Sequence, residues 1–210
     1  MYQPPHFRED DLAAQHALIR AHPLGLLITA GPGGLIANAL PFHLVAERGA
    51  KGTLQVHMAR ANAQWREIGT GLPALVVFQG PGAYITPSWY ETKRLTGKVA
   101  VVQVRGRARV IHHVDWLRRQ IGALTGEHEA VRDQAWHVGD APDAYISALI
   151  KGIVGVEIEI LEIDGKWKVS QNRPAADVVR VAEALGDASE PHGNADMGNL
   201  VRQYGGRRGA

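Results

Sequence analysis

The stretch Leu54-Gln-Val-His-Met-Ala-Arg-Ala-Asn-Ala-Gln-Trp-Arg-Glu-Ile68 carries an alternating strand directly into an amphipathic helix, with a cation at the junction. Leu54, Val56 and Met58 alternate with Gln55, His57 and Ala59, which is the period of a strand. Asn62 is a favoured helix-capping residue, and Trp65 and Ile68 then fall one turn apart on one face. The first turn of such a helix presents unpaired N–H groups and the positive end of the helix dipole. An anion beside Arg60 would therefore find donors and charge together. The alternative is plainer: Asn62 only caps, and Arg60 is solvated.

Outward from this junction the chain is strand-rich. Leu24 to Ala30 and Leu35 to Ala46 read as two strands joined across Gly31-Pro-Gly-Gly34, a hairpin signal weakened by its proline. Gly52 to Met58, Ala74 to Gln79 and Val99 to Ile111 follow as strands, with Ala83 to Thr86 a shorter one. Ile153 to Ile163 alternates Ile and Val with Glu157, Glu159 and Glu162, and Asp164-Gly165 is expected to turn it into Lys166 to Val169.

Helices are fewer. Asp10 and Asp11 can cap one running to Ala21, where His22-Pro23 ends it. Val114, Leu117, Ile121 and Leu124 share a helical face, with Gly126 just past the expected end. Asp143 to Ile150 is a shorter helix, and Pro174 opens another that carries Val178, Val181 and Leu185 and stops at Gly186. From Asp187 to Ala210 little periodicity is legible, which predicts a mobile tail. Many short strands with few helices predict a mainly β fold, and periodicity leaves barrel and sandwich both open.

Composition narrows the chemistry. The 210 residues can bury a substantial core and suit one domain. With 23 Lys plus Arg against 21 Asp plus Glu, the formal charge of +2 does not announce a nucleic-acid binder. Cysteine is absent, which removes disulfides, thiolate nucleophiles and Cys-ligated metals and fits the cytoplasm. No segment approaches the ~20 apolar residues that cross a bilayer, and the polar start from Met1 to Asp11 is no signal peptide. His112-His113 would point to opposite faces of a strand, and Glu127-His-Glu129 lacks zinc-protease spacing. Arg105, Arg107 and Arg109 line one strand face, either as a stripe for DNA phosphates or as a salt-bridge row.

His57-Met-Ala-Arg-Ala-Asn-Ala-Gln-Trp65 resembles the signature of the PaiB-type FMN-binding negative transcriptional regulators, a branch of the flavin split barrels that include pyridoxamine-phosphate oxidase. Collinear matches are Met1-Tyr-Gln-Pro-Pro-His-Phe7, His22-Pro-Leu-Gly25, Ala37-Asn-Ala-Leu-Pro-Phe-His43, Gly80-Pro-Gly-Ala-Tyr-Ile-Thr-Pro-Ser-Trp-Tyr90, Thr96-Gly-Lys-Val99 and Lys168-Val-Ser-Gln-Asn-Arg-Pro174. The resemblance implies an antiparallel split β-barrel of Greek-key type with added helices over residues 1–186. It also implies a homodimer with FMN at the subunit interface.

Residue by residue, it implies that Asn38, Ala39, Leu40, Pro41 and Phe42 line the flavin ring. His57, Met58, Ala59, Arg60 and Asn62 would meet the ribityl phosphate, and Lys98, Gln103, Ser170 and Gln171 would complete the contacts. Pro41 removes a ladder donor and so belongs at a sheet edge or a bulge, whether or not a ligand lies there.

Two departures stand out. The oxidase-type proteins carry an Arg-Lys pair where this chain has Ala63 and Gln64, so Arg60 would have to supply the charge. The family's Pro-Thr-Trp-Asn-Tyr stretch after Gly-Lys-Val is missing, and Val99 passes straight into Ala100. Two functions follow from the resemblance: a flavin-binding repressor, or a flavin-dependent oxidoreductase using the same pocket. No helix-turn-helix spacing marks a DNA reader, and no residue stands out as a substrate acid or base.

Overall fold

Residues 1–69, 71, 73–91 and 96–206 are described by a computed structural model. The elements in order are β1 (Arg8–Glu9), α1 (Leu12–Ala21), β2 (Leu24–Gly31), β3 (Gly34–Pro41), β4 (His43–Val45), β5 (Thr53–Ala59), α2 (Gln64–Ile68), β6 (Pro73–Ile85), β7 (Thr96–Ile111), α3 (Val114–Glu129), α4 (Asp143–Lys151), β8 (Ile153–Lys168), α5 (Ala175–Gly186) and α6 (Ala195–Tyr204). The strand order is β3-β2-β6-β7-β8-β5-β4, with β1 added on β8. Every pairing with a defined register is antiparallel. Two compact units result, one of Met1–Leu18, Gln79–Val102 and Asp164–Ala210, the other of Ile19–Phe78 and Gln103–Ile163. The strands β6, β7 and β8 contribute residues to both.

In the unit built on Ile19–Phe78 and Gln103–Ile163, β2 and β3 form the hairpin expected across Gly31 to Gly34. The inward face of β2 includes Gly25 and Leu27, and β2 pairs with β6 at Leu27 and Val76. Phe42 and Phe78 meet edge to face at 5.5 Å, both almost wholly buried. A side chain at position 25 would lie 2.7 Å from Phe78 and 2.9 Å from Phe42, so the glycine of the His22-Pro-Leu-Gly25 motif makes room for two rings. On the other side of the order, α3 and α4 share a cluster of Leu117, Ile146 and Ile150. In the unit that includes Asp164–Ala210, buried Val178, Val181 and Leu185 on α5 accompany buried Met197 and Val201 on α6.

Five local expectations change. Leu35 to Ala46 is two strands, broken at Phe42, whose N–H leaves the ladder to donate to Pro23 O. Ala74 to Gln79 and most of Ala83 to Thr86 belong to one long strand, β6, which ends at Ile85. Asp164-Gly165 does not turn: β8 continues to Lys168 because β1 pairs across it, with Glu9 opposite Gly165, where a Cβ would stand 2.8 Å from Glu9 O. Residues 195–204, where a mobile tail was expected, form α6, capped by Asn194 accepting from Met197 N. The last residues of that tail lie outside the described residues. The helix α3 also runs past Gly126 to Glu129, one further turn than its glycine suggests.

Alanine is ordinarily preferred over glycine within a strand by roughly 0.5–1 kcal/mol, whereas overpacking a filled core costs roughly 1–3 kcal/mol. The second term wins at Gly25. Gly25→Ala is expected to lower the urea midpoint by the equivalent of about 1–2 kcal/mol, and an unchanged or raised midpoint would show that the two rings move apart freely.

Candidate functional site

The junction between β5 and α2 is fixed by Gln64, which is fully buried. Its Oε1 accepts from Asn38 Nδ2 at 2.9 Å, and its Nε2 lies 3.1 Å from Leu27 O, 3.2 Å from Thr29 Oγ1 and 3.3 Å from Ile36 O. One side-chain amide thus ties the start of α2 to both strands of the β2–β3 hairpin. The sequence reading passed over Gln64, although its departure from the oxidase-type lysine was the available signal. Turned inward, it has no reach to a surface phosphate.

Asn62 is not the cap, which falls on Ala63; it lies one residue earlier, and its Oδ1 accepts from Gln64 N at 3.0 Å. Its own N–H donates to Ala59 O, so two of the donors expected at this helix start are already engaged. The helix is also only five residues long, which shortens the dipole available to an anion. Arg60 supplies the charge instead. Its Nε donates to Lys151 O at 3.0 Å and its Nη2 to Ile153 O at 2.9 Å, beside the C-terminal end of α4, while Trp65 Nε1 donates to Arg60 O. The guanidinium is exposed yet held in one place. His57 is half-buried, and its Nδ1 lies 2.8 Å from Gln120 Oε1 on α3, whereas Met58 is core and Ala59 is exposed.

The flavin-ring segment divides by strand parity. Asn38 and Leu40 share the side of Gln64, while Ala39 and Pro41 lie on the opposite, more open face of β3. Pro41 sits in the terminal strand of the order, where a missing ladder donor is harmless. Phe42 belongs to the core against Phe78. Gln103 is half-buried on β7, on the same face as Arg105.

Arg105 and Arg109 lie along that strand, but carboxylates on β8 engage them. Arg109 donates from Nε at 2.8 Å and from Nη2 at 2.5 Å to one oxygen, Oε1, of the buried Glu157, Arg48 reaches its Oε2 at 2.6 Å, and Arg105 lies 3.6 Å from Glu162. This is the salt-bridge row that the alternation of glutamates on β8 allows.

Lys98, Ser170 and Gln171 lie in the other unit. Lys98 occupies the inward parity of β7 with Ala100 and Val102 and is only 5% exposed. Burial, reinforced by Arg173 and Lys168, pushes its amine down to about 8 from 10.5. Gln171 is used locally, its Oε1 accepting from Val169 N and its Nε2 donating to Trp167 O. Ser170 takes the left-handed backbone at φ +72°, and its buried Oγ has no hydrogen-bond partner among the described residues. The chain runs through Val99 and Ala100 as part of β7.

An unfolded lysine keeps its proton to about 10.5 and Lys98 gives it up near 8, so the unfolded state binds more protons between those values. Stability therefore rises with pH across that window. In chloride buffer, Lys98→Met is expected to stabilise the protein at pH 7 by up to roughly 3 kcal/mol, with the advantage shrinking toward pH 10. Urea denaturation of both proteins at the two pH values checks this, and a pH-independent difference would mean that the amine titrates normally.

FMN asks for a fixed cation at its phosphate and a flat, small-residue surface beside a free backbone edge at its ring. Arg60 is such a cation, and β3, terminal in the strand order with Ala37 and Ala39 on its open face, is such a surface. The donor set fits the group.

Residues 1–162 match the family model described as "Putative FMN-binding domain". Relatives include Protease synthase and sporulation protein PAI 2 of Bacillus subtilis, 28% identical over 91% of this chain and 92% of its own. Another is the uncharacterized protein AN0679 of Emericella nidulans, 31% identical over 98% of each chain. Among solved structures, the FAD and heme binding protein from Mycobacterium smegmatis superposes with a TM-score of 0.57 at 18% identity, covering 82% of this chain and 78% of the other. The flavocytochrome Anf3 from Azotobacter vinelandii gives 0.53 at 18% identity over 77% and 69%. At those identities the structural likeness speaks to the fold, which is the mixed α+β, antiparallel split barrel. By the match across most of its length, this chain belongs to the FMN-binding domain family, with FMN as its cofactor.

Proposed function

We propose that the protein is an FMN-binding negative regulator of transcription that acts as a homodimer. The observation that carries the reading is the collinear resemblance to the PaiB-type regulators, supported by a family match over residues 1–162 and a PAI 2 relative across 91% of the chain. When bound, FMN would supply a redox-active ring. The chain's own residues would bind and orient it: Arg60, strapped to the end of α4, faces the phosphate, and Ala39 and Pro41 on the open side of β3 face the ring, with Gln103 and the 57–62 loop completing the pocket wall.

Dimerisation has a physical motive in the sheet. On one face of the β2–β3 pair, Leu24, Leu26 and Ile28 stand opposite Pro41, Ala39 and Ala37, and Leu24 is 64% exposed. An apolar face of this kind is costly in water unless a partner covers it. Light scattering at micromolar concentration is expected to give about twice 22.8 kDa, and Leu26→Asp, which places a charge on that face, is expected to give the monomer mass. A stable wild-type monomer would remove the shared-site reading.

A second reading, a flavin-dependent oxidoreductase, draws on the nearly buried Lys98, whose amine burial pushes down to about 8, toward the range useful to an acid or base. Binding of the FMN-loaded protein to DNA upstream of its own gene separates the two, since the regulator reading requires it.

The phosphate contact is testable by itself. Losing a charge-assisted hydrogen bond costs on the order of 1.5–3 kcal/mol, so Arg60→Ala is expected to weaken FMN by roughly ten- to more than a hundredfold while leaving riboflavin unchanged. Fluorescence titration of both flavins reads this directly. Riboflavin serves as the control for any loosening of α4, and equal wild-type affinities for the two flavins would leave Arg60 as a helix-end clasp only.

A further inference from the structure

Three cations of the unit that contains Lys98 bear on one another. Lys98 is nearly buried on β7, and Lys168 at the end of β8 and Arg173 just beyond it are close enough to depress its amine. The Lys98 Nζ lies 5.9 Å, and the Arg173 Cζ 5.8 Å, from the centroid of one ring, that of buried Tyr90. Among the described residues no salt bridge involves any of the three. Two donors at the same place are also unspent: Arg173 Nε and Ser170 Oγ are buried with no hydrogen-bond partner among the described residues.

A fold does not ordinarily set further cations beside a buried amine, nor leave buried donors idle, because each raises the free energy of the folded state. Nor does a serine ordinarily sit at φ +72°, a conformation found mostly in glycine and, when held by serine, often at a ligand site. Aromatic contact with Tyr90 offsets part of the charge but supplies no acceptor. What the cluster lacks is an acceptor bearing more than one negative charge. A carboxylate would answer one cation only, whereas a tetrahedral dianion carries the charge and the several oxygens that Lys98, Arg173 and the Ser170 hydroxyl can donate to.

We propose that Lys98, Arg173 and Ser170 form a binding site for a doubly charged oxyanion of the phosphate class, with Lys168 adding positive charge to it. The site rests on residues of one unit and stands whether or not Arg60 holds the flavin phosphate. That oxyanion has two possible sources, the phosphate of FMN itself or a separate phosphate-bearing ligand.

The test uses the full chain in Tris-chloride at constant ionic strength, flavin-free and FMN-loaded, titrated calorimetrically with inorganic phosphate and with sulfate. Saturable binding is expected in the flavin-free protein, with a melting temperature that rises with either anion. Lys98→Met and Arg173→Gln are each expected to weaken it at least tenfold, and Arg107→Gln, on an exposed part of β7, not at all. Ser170→Gly removes the hydroxyl while relieving the backbone. It is expected to hold or raise the melting temperature and still weaken the anion roughly tenfold, a combination that a purely structural serine would not produce. Phosphate that still binds the FMN-loaded protein identifies a separate ligand. Phosphate displaced by FMN but not by riboflavin identifies the flavin phosphate, and would contradict the Arg60 assignment while upholding this one. Absence of saturable binding in both forms, or binding that survives Lys98→Met and Arg173→Gln, overturns the proposal.

Discussion

The candidate flavin site in this chain hangs on one buried amide. Gln64 is held from three sides by Asn38, Leu27 and Thr29, with Ile36 O close by, and through it the start of α2 is pinned to the hairpin of β2 and β3. A buried amide with both its oxygen and its nitrogen engaged contributes to specificity as well as stability, because any shift of the junction would strand polar groups in the core. Arg60 and Asn62 lie just before it in the chain, and the 38–42 segment runs along the strand it grips. Arg60 and β3, the proposed phosphate and ring contacts, are therefore held in register by the Gln64 amide.

The two units treat buried charge in opposite ways. Glu157 is 4% exposed, but Arg48, Arg109 and Gln55 all donate to it, so its desolvation is answered by charge-assisted hydrogen bonds. Lys98 is as deeply placed and finds an aromatic face and two further cations. The first arrangement is what a structural ion pair needs. The second disfavours the charged amine, by burial first and by the neighbouring cations after it.

The departures from the family's pattern have local explanations. Where the oxidase-type proteins carry lysine, Gln64 has turned inward, and the exposed guanidinium at the junction is that of Arg60, clasping the carbonyls at the end of α4. The short helix α2 leaves little dipole to add to it. At Val99 and Ala100 β7 runs on without interruption. Lys98 consequently sits within a strand, with its side chain on the inward parity.

Periodicity and turn chemistry in the sequence determined most of the strands, the β2–β3 hairpin and the helical identity of α1, α3, α4 and α5, because these depend on contacts between near neighbours. Pro41 announced a sheet edge for the same reason, since a missing N–H is a property of the residue itself. The sequence could not show that Asp164-Gly165 runs straight through, because the partner that keeps it extended is β1, more than a hundred residues away. Nor could it show α6, whose periodicity is weak and whose apolar residues gain their meaning beside α5. The same holds at the sites. Residue types pointed to Arg60, but only the tertiary structure turned Gln64 inward, set Arg109 on Glu157 and left Lys98, Lys168 and Arg173 together, since burial and charge compensation are decided by which distant strands become neighbours.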